Sequence, residues 1–164
     1  MDAQKNAELD ARKQRTTAER KSDREVVVTR TFDAPARLVF EAWTKPELFI
    51  RWWAPRSMGM TLLSCEMDVR VGGNYRLKFG QGMDFFGQYL EVTPNSRLVW
   101  TNEESGEDGP VTTVTFTEKG GKTLLVLREL YPSKEALDAA GLGAAGAMGE
   151  MFEQLDELLG ELQR

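Results

Sequence analysis

The run Met148-Gly-Glu-Met-Phe-Glu-Gln-Leu-Asp-Glu-Leu-Leu-Gly-Glu-Leu162 sets Met148, Met151, Phe152, Leu155, Leu158, Leu159 and Leu162 at helical spacing. Glu150, Glu153, Asp156, Glu157 and Glu161 take the opposite side. One apolar stripe and one acidic face predict an amphipathic helix. About 20 residues at 1.5 Å each make it on the order of 30 Å long. Such a stripe must be buried against a large partner surface. Upstream, Ser133-Lys134-Glu135-Ala136-Leu137 predicts a short helix. Gly141, Gly143, Gly146 and Gly149 each weaken helix continuity by about 1 kcal/mol relative to Ala. A kink or loop is therefore expected across 141–149, placed as a lid would be.

The partner surface lies further upstream. From Met60 to Leu130 turn signals fall at Gly72-Gly73-Asn74, Gly80-Gln81-Gly82, Pro94-Asn95-Ser96, Ser105 through Pro110, and Lys119-Gly120-Gly121. That spacing predicts six antiparallel strands joined as a meander. Glu25–Phe32, with Val26, Val28 and Phe32 alternating with Val27, Thr29 and Thr31, adds a strand. In the first hairpin, a three-residue loop at 72–74 would set Val71 opposite Tyr75, Val69 opposite Leu77 and Met67 opposite Phe79. Glu66, Asp68 and Arg70 then form a solvated charge ladder. Cys65 falls with Leu63 and Met67 on the apolar face, as an inert buried thiol.

Between strand and meander, Asp33-Ala34-Pro35 opens a short helix bearing Leu38, Val39, Ala42 and Trp43. Thr44-Lys45-Pro46-Glu47 has the T-x-x-E capping-box pattern and precedes a second short helix with Leu48, Phe49, Trp52 and Trp53. Trp52 and Trp53 cannot both point inward, so one is expected at a rim. A curved sheet covered by a single long helix leaves unfilled volume, the natural place for a ligand.

Composition narrows the chemistry. The 164 residues fit one domain, with 41% hydrophobic and 29% charged residues. The formal charge of −5 argues against a nucleic-acid surface. No histidine is present, which removes Ser-His-Asp and Cys-His catalysis and the commonest transition-metal ligand. No cofactor or metal motif stands out. Cys65 is the only cysteine, and no leader-type apolar run is evident, so the expected setting is cytoplasmic without membrane insertion. Residues 1–24 are charged and carry little apolar surface beyond Leu9, which predicts a flexible N-terminal arm ahead of a domain at 25–164.

Five segments carry a family resemblance: Arg30-Thr-Phe-Asp-Ala-Pro35, Val39-Phe-Glu-Ala-Trp-Thr-Lys-Pro-Glu-Leu48, Arg51-Trp-Trp-Ala-Pro55, Asp68-Val-Arg-Val-Gly-Gly-Asn-Tyr75 and Gly87-Gln-Tyr-Leu-Glu-Val-Thr-Pro94. Together they resemble the bacterial branch of the SRPBCC, or START-like, superfamily, in particular its activator-of-heat-shock-protein-90-ATPase homologue-like group. The resemblance spans about residues 25–162. It implies an α+β helix-grip fold: a curved antiparallel sheet of about seven strands wrapped on the long C-terminal helix, with two short helices after the first strand. The superfamily's usual tryptophan near the start of the last helix is replaced here by Met151 and Phe152.

Strand phase assigns Tyr75, Phe79, Phe86 and Trp100 to the cavity wall, with Met148, Met151 and Phe152 from the helix and Trp53 at the rim. In the last strand Leu125, Leu127 and Glu129 share one face and Leu124, Val126, Arg128 and Leu130 the other, so the inward face is open from sequence alone. An inward Glu129 would be a carboxyl near the mouth, its pKa raised unless Arg30 pairs with it. The leading expectation is a binding module for a small apolar molecule, lipid-like or aromatic, oriented by Glu129, Arg30 or Tyr75. The alternatives are a cyclase or dehydratase using Tyr75 or Glu129 as acid–base groups, and a chaperone-associated domain with a protein partner.

Overall fold

The computed structural model describes residues 16–164 apart from 60, 61, 83, 105, 107, 108, 141 and 142. Its elements run β1 (Thr16–Arg20), β2 (Glu25–Phe32), α1 (Ala36–Thr44), α2 (Pro46–Phe49), β3 (Leu62–Met67), β4 (Asn74–Phe79), β5 (Asp84–Thr93), β6 (Arg97–Thr101), β7 (Val111–Lys119), β8 (Lys122–Leu130), α3 (Lys134–Ala140) and α4 (Gly143–Leu162). This is the helix-grip architecture, with eight strands rather than about seven. The sheet order is β1-β2-β8-β7-β6-β5-β4-β3, so the expected six-strand meander from β3 to β8 is present and β2 closes onto its last strand.

The extra strand comes from the segment read as an arm. Thr16 pairs with Arg30 and Arg20 with Val26, so the described domain starts at 16, not 25. Ladder pairing satisfies backbone N–H and C=O groups without apolar side chains, which is why the side-chain pattern gave no signal. Arg20 also reaches Asp138 of α3 at 2.7 Å. The remainder of the expected arm, 1–15, lies outside the described residues.

α1 begins without a side-chain cap of its own; the Glu118 carboxylate from β7 accepts the Ala36 N–H at 2.7 Å instead. The capping box at Thr44 does not form, because the Thr44 hydroxyl donates back to the Phe40 carbonyl at 2.9 Å within its own helix. α4 is helical from Gly143, so Gly143, Gly146 and Gly149 sit inside it and the expected loop does not extend past 142. Burial of Met148, Met151, Phe152, Leu155, Leu158 and Leu159 supplies the packing that offsets weak glycine propensity.

The first hairpin is registered differently from expectation. Met67 opposes Tyr75, Cys65 opposes Leu77, and Glu66 opposes Arg76. Residues 68–73 form a wider turn, with the Asp68 N–H donating to Asn74 at 3.0 Å and the Gly73 N–H to Arg70 at 2.8 Å. A β-carbon at Gly73 would sit 2.0 Å from the Asp68 carbonyl oxygen, so this turn demands glycine. Its return limb is held by β5: the Tyr89 N–H donates to the Gly73 carbonyl at 2.8 Å. The apolar partition survives the change of register for Cys65 and Met67, but both are half-buried, so Cys65 is not the fully buried thiol expected. A bulge between Leu62 and Ser64 turns Leu63 outward, where it is 67% exposed.

Candidate functional site

Between the concave sheet and the α1–α2–α4 layer lies a cavity of about 290 Å³. One cross-strand row explains its floor. Tyr89 pairs with Trp100, Trp100 with Thr112, Thr112 with Glu129, and Glu129 with Val26, so the row crosses five strands on the concave face. A neighbouring row sets Tyr75 opposite Gly87 and Leu77 opposite Phe85. Opposite the sheet, the wall is formed by Trp43, Phe49, Trp53, Ala54, Pro55, Met148 and Met151. Trp43 is the hub, with ring centroids 5.9 Å from Trp53 and 5.8 Å from Trp100. Its indole N–H is buried without a hydrogen-bond partner among the described residues.

The helical side of this wall is stitched together. Gln154 of α4 donates to the Trp52 and Ala54 carbonyls, both at 3.0 Å, and accepts the Arg56 N–H at 2.9 Å. The Ala54 N–H points at the Met151 sulfur, 3.3 Å away, and Ala54 takes a positive φ of 111°. One buried amide thus fixes the 52–56 connection on the helix.

Polar groups gather at one end of the cavity. Asn102 Nδ2 donates to Thr112 Oγ1 at 2.9 Å and to the Pro110 carbonyl at 2.8 Å. The Tyr75 hydroxyl donates to the Thr101 carbonyl at 2.7 Å. The Tyr131 hydroxyl donates to Glu129 Oε2 at 3.3 Å. Glu104 completes the set, and its Oε2 is buried without a partner among the described residues. Burial raises the Glu129 pKa above the usual carboxyl range; the Tyr131 hydrogen bond opposes this and the Glu104 charge adds to it. Glu104 is also raised, first by burial and then by neighbouring Glu103, against its own backbone hydrogen bond. Burial, with the Glu129 charge behind it, pushes Tyr131 up to about 12.

Of the residues assigned to the cavity from sequence, Tyr75, Phe79, Trp100, Glu129, Met148, Met151 and Trp53 line it. Trp52 is the inward-buried member of its pair, donating to the Ala42 carbonyl at 2.9 Å. Three assignments are corrected. Phe86 opposes Arg76 and lies under its guanidinium on the convex face, 4.9 Å from ring to charge; Phe85 takes the inward position. Phe152 is fully buried against Phe32, Trp43 and Trp52 and fills core instead of facing the cavity.

Arg30 pairs with neither Glu129 nor the cavity. Glu129 sits opposite Val26, four strand positions from Arg30 and so roughly 13 Å along β2. The Arg30 side chain runs under α4, with Glu153 at 2.8 Å and Asp156 at 3.5 Å. Sequence reasoning missed Phe85, Tyr89, Glu104, Asn102, Thr112 and Tyr131. Gly87 held a usable signal, since a glycine opposite Tyr75 fixes the phase of β5. The 102–110 connection offered no periodicity at all.

The sheet, the long helix and the cavity between them define an α+β protein of the helix-grip class. The chain belongs to the activator of Hsp90 ATPase homolog 1-like family, whose profile matches residues 33–160. A crystal structure from Rhodobacter sphaeroides is similar with a TM-score of 0.79 at 24% identity, covering 90% of this chain and 99% of that one. One from Nitrosomonas europaea gives 0.77 at 21% identity, over 87% and 98%. A solution structure from Staphylococcus epidermidis gives 0.70 at 28% identity, over 88% and 94%. A search of curated proteins gives no significant match. No helix among the described residues is long and apolar enough to cross a membrane.

Proposed function

We propose that this protein binds a small hydrophobic molecule in the cavity between the sheet and α4, with the molecule's polar group at the Glu104–Glu129 end. The observation that carries the reading is the cavity wall of Trp43, Trp53 and Trp100 ending in a cluster of buried polar groups. A volume of about 290 Å³ is at the lower limit of small-molecule pockets, near roughly 300 Å³. Apolar walls supply affinity, and a few convergent polar groups supply orientation. A cytoplasmic setting belongs to the same reading, supported by the single cysteine, and the charge of −5 favours a small-molecule partner over nucleic acid.

The test is a titration of the full chain with neutral aromatic and aliphatic compounds, followed by amide and indole NMR. Saturable shifts at Trp43, Trp53, Trp100 and Met151, with the convex face unmoved, are the expected result. Shifts confined to the convex face, or none with any compound, would remove the reading.

A further inference from the structure

We infer that the molecule taken by this cavity is an organic cation: a protonated or quaternary amine on an apolar body, its charge set between Glu104 and Glu129. The inference rests on the binding reading above and names the ligand class.

Two carboxyls and no lysine or arginine are among the residues that line the cavity. Glu129 is only 8% exposed, and Tyr131 is its one hydrogen-bond partner among the described residues. Its second oxygen is left for a guest, as is the buried Glu104 Oε2. A buried carboxylate without a counter-charge is strongly disfavoured, and a cation placed beside it removes that penalty. The two arginines of the neighbouring segment 24–30 are committed elsewhere. Arg30 is held by Glu153 and Asp156, and Arg24 Nε donates to the Tyr131 backbone carbonyl at 2.9 Å. The described lining offers no counter-charge that would let these carboxyls ionise, and a cationic ligand would bring one.

The walls agree with this assignment. Cations are attracted to the faces of indole and phenol rings, and Trp43, Trp53, Trp100, Tyr75 and Tyr89 are five such residues in the lining. A carboxylate-bearing ligand such as a fatty acid would add a third acid to a polar end that already holds two and no base, and is disfavoured. Of the other polar groups at this end, Asn102 donates to Thr112 at 2.9 Å, and the Tyr75 hydroxyl donates to the Thr101 carbonyl at 2.7 Å.

Three compounds of one carbon skeleton separate the possibilities: 3-phenylpropylamine, 3-phenylpropanol and 3-phenylpropionate, titrated into the full chain by tryptophan fluorescence and indole NMR. The amine is expected to bind at least about tenfold tighter than the alcohol, the weight of one charge-assisted hydrogen bond, with the carboxylate weakest. In the E104Q/E129Q double variant the ratio of amine to alcohol affinity should fall to about one, whatever the change in the alcohol's own affinity. Should the double variant not fold by circular dichroism, E104Q alone serves, since Glu104 lies on a connection outside the strand ladders. Equal or tighter binding of the alcohol to the unaltered chain overturns the cation assignment and leaves the binding reading standing. An amine preference that survives loss of the carboxyls overturns it too. No cavity response to any of the three, or to the larger neutral dye Nile red, removes both.

Discussion

The Tyr75 hydroxyl donates to the Thr101 carbonyl oxygen at 2.7 Å, and that same oxygen lies 2.0 Å from where a β-carbon at Gly87 would stand. Tyr75 and Gly87 are paired residues on adjacent strands, so the absent side chain of one clears the path for the other. Gly87→Ala forces backbone against backbone and should destabilise the fold by about 2–3 kcal/mol. Tyr75→Phe removes only the hydrogen bond, for about 1 kcal/mol. Urea unfolding of both variants measures the difference, and a Gly87→Ala loss smaller than that of Tyr75→Phe would contradict the geometry.

Glu129→Gln should stabilise the protein at neutral pH, and the gain should vanish in acid. Below the ordinary carboxyl range both folded and unfolded chains hold the proton, so the charge has no effect. As pH rises past about 4.3 the unfolded chain loses it first, while the raised folded-state pKa keeps it bound in the native protein. Wild-type stability therefore falls with rising pH until the folded-state pKa is passed, beyond which the full penalty remains. Melting temperatures of both proteins between pH 4 and 8 should diverge upward from the acid end. A gap independent of pH would mean that burial of this carboxyl is not its source.

Arg30 is 1% exposed, and its Nε and Nη2 lack hydrogen bonds among the described residues. Stripping its partners with Glu153→Ala and Asp156→Ala together leaves a buried cation alone and should destabilise by about 3 kcal/mol or more. Arg30→Met, which removes the charge and keeps the volume, should cost clearly less. Chemical denaturation that ranks the two the other way would show that the ion pairs contribute little.

Gln154→Met should unpin the 52–56 connection, since the Trp52 and Ala54 carbonyls and the Arg56 N–H all lose their partner. The expected loss is about 2–3 kcal/mol, from buried groups left unsatisfied. Tryptophan emission should shift to the red as Trp53 gains water. A variant as stable as wild type, with unchanged emission, would count against the stitch.

Burial pushes the Cys65 thiol up to about 11. Two units above its ordinary value means about a hundredfold less thiolate at pH 8. Iodoacetamide should therefore label the native protein far more slowly than the urea-unfolded chain, as followed by intact mass.

The long apolar stripe of α4 and the six turn-punctuated strands were legible because period and punctuation are local properties of a chain. What failed was non-local. Phe85-Phe86 presents a ring to both faces, so only pairing with Tyr75 and Leu77 decides which turns inward. Arg30 read as a cavity group because Glu153 and Asp156 looked like a solvated helix face, and only packing brings them over it. Thr16–Arg20 carries no apolar alternation, since its order comes from backbone pairing. Glu104 sits in a stretch whose position is set by Asn102 and Pro110 rather than by any repeat.

The two carboxyls at the polar end belong to different kinds of chain. Glu129 is fixed in a strand paired on both sides, while Glu104 rides on a connection that no ladder constrains. Substitution at 129 must answer to two neighbouring strands, but 104 can be exchanged without disturbing either. One carboxyl of the pair is thus bound up with the architecture, and the other stands apart from it. The acidity of the polar end could therefore be altered by one substitution that leaves the strand pairing intact.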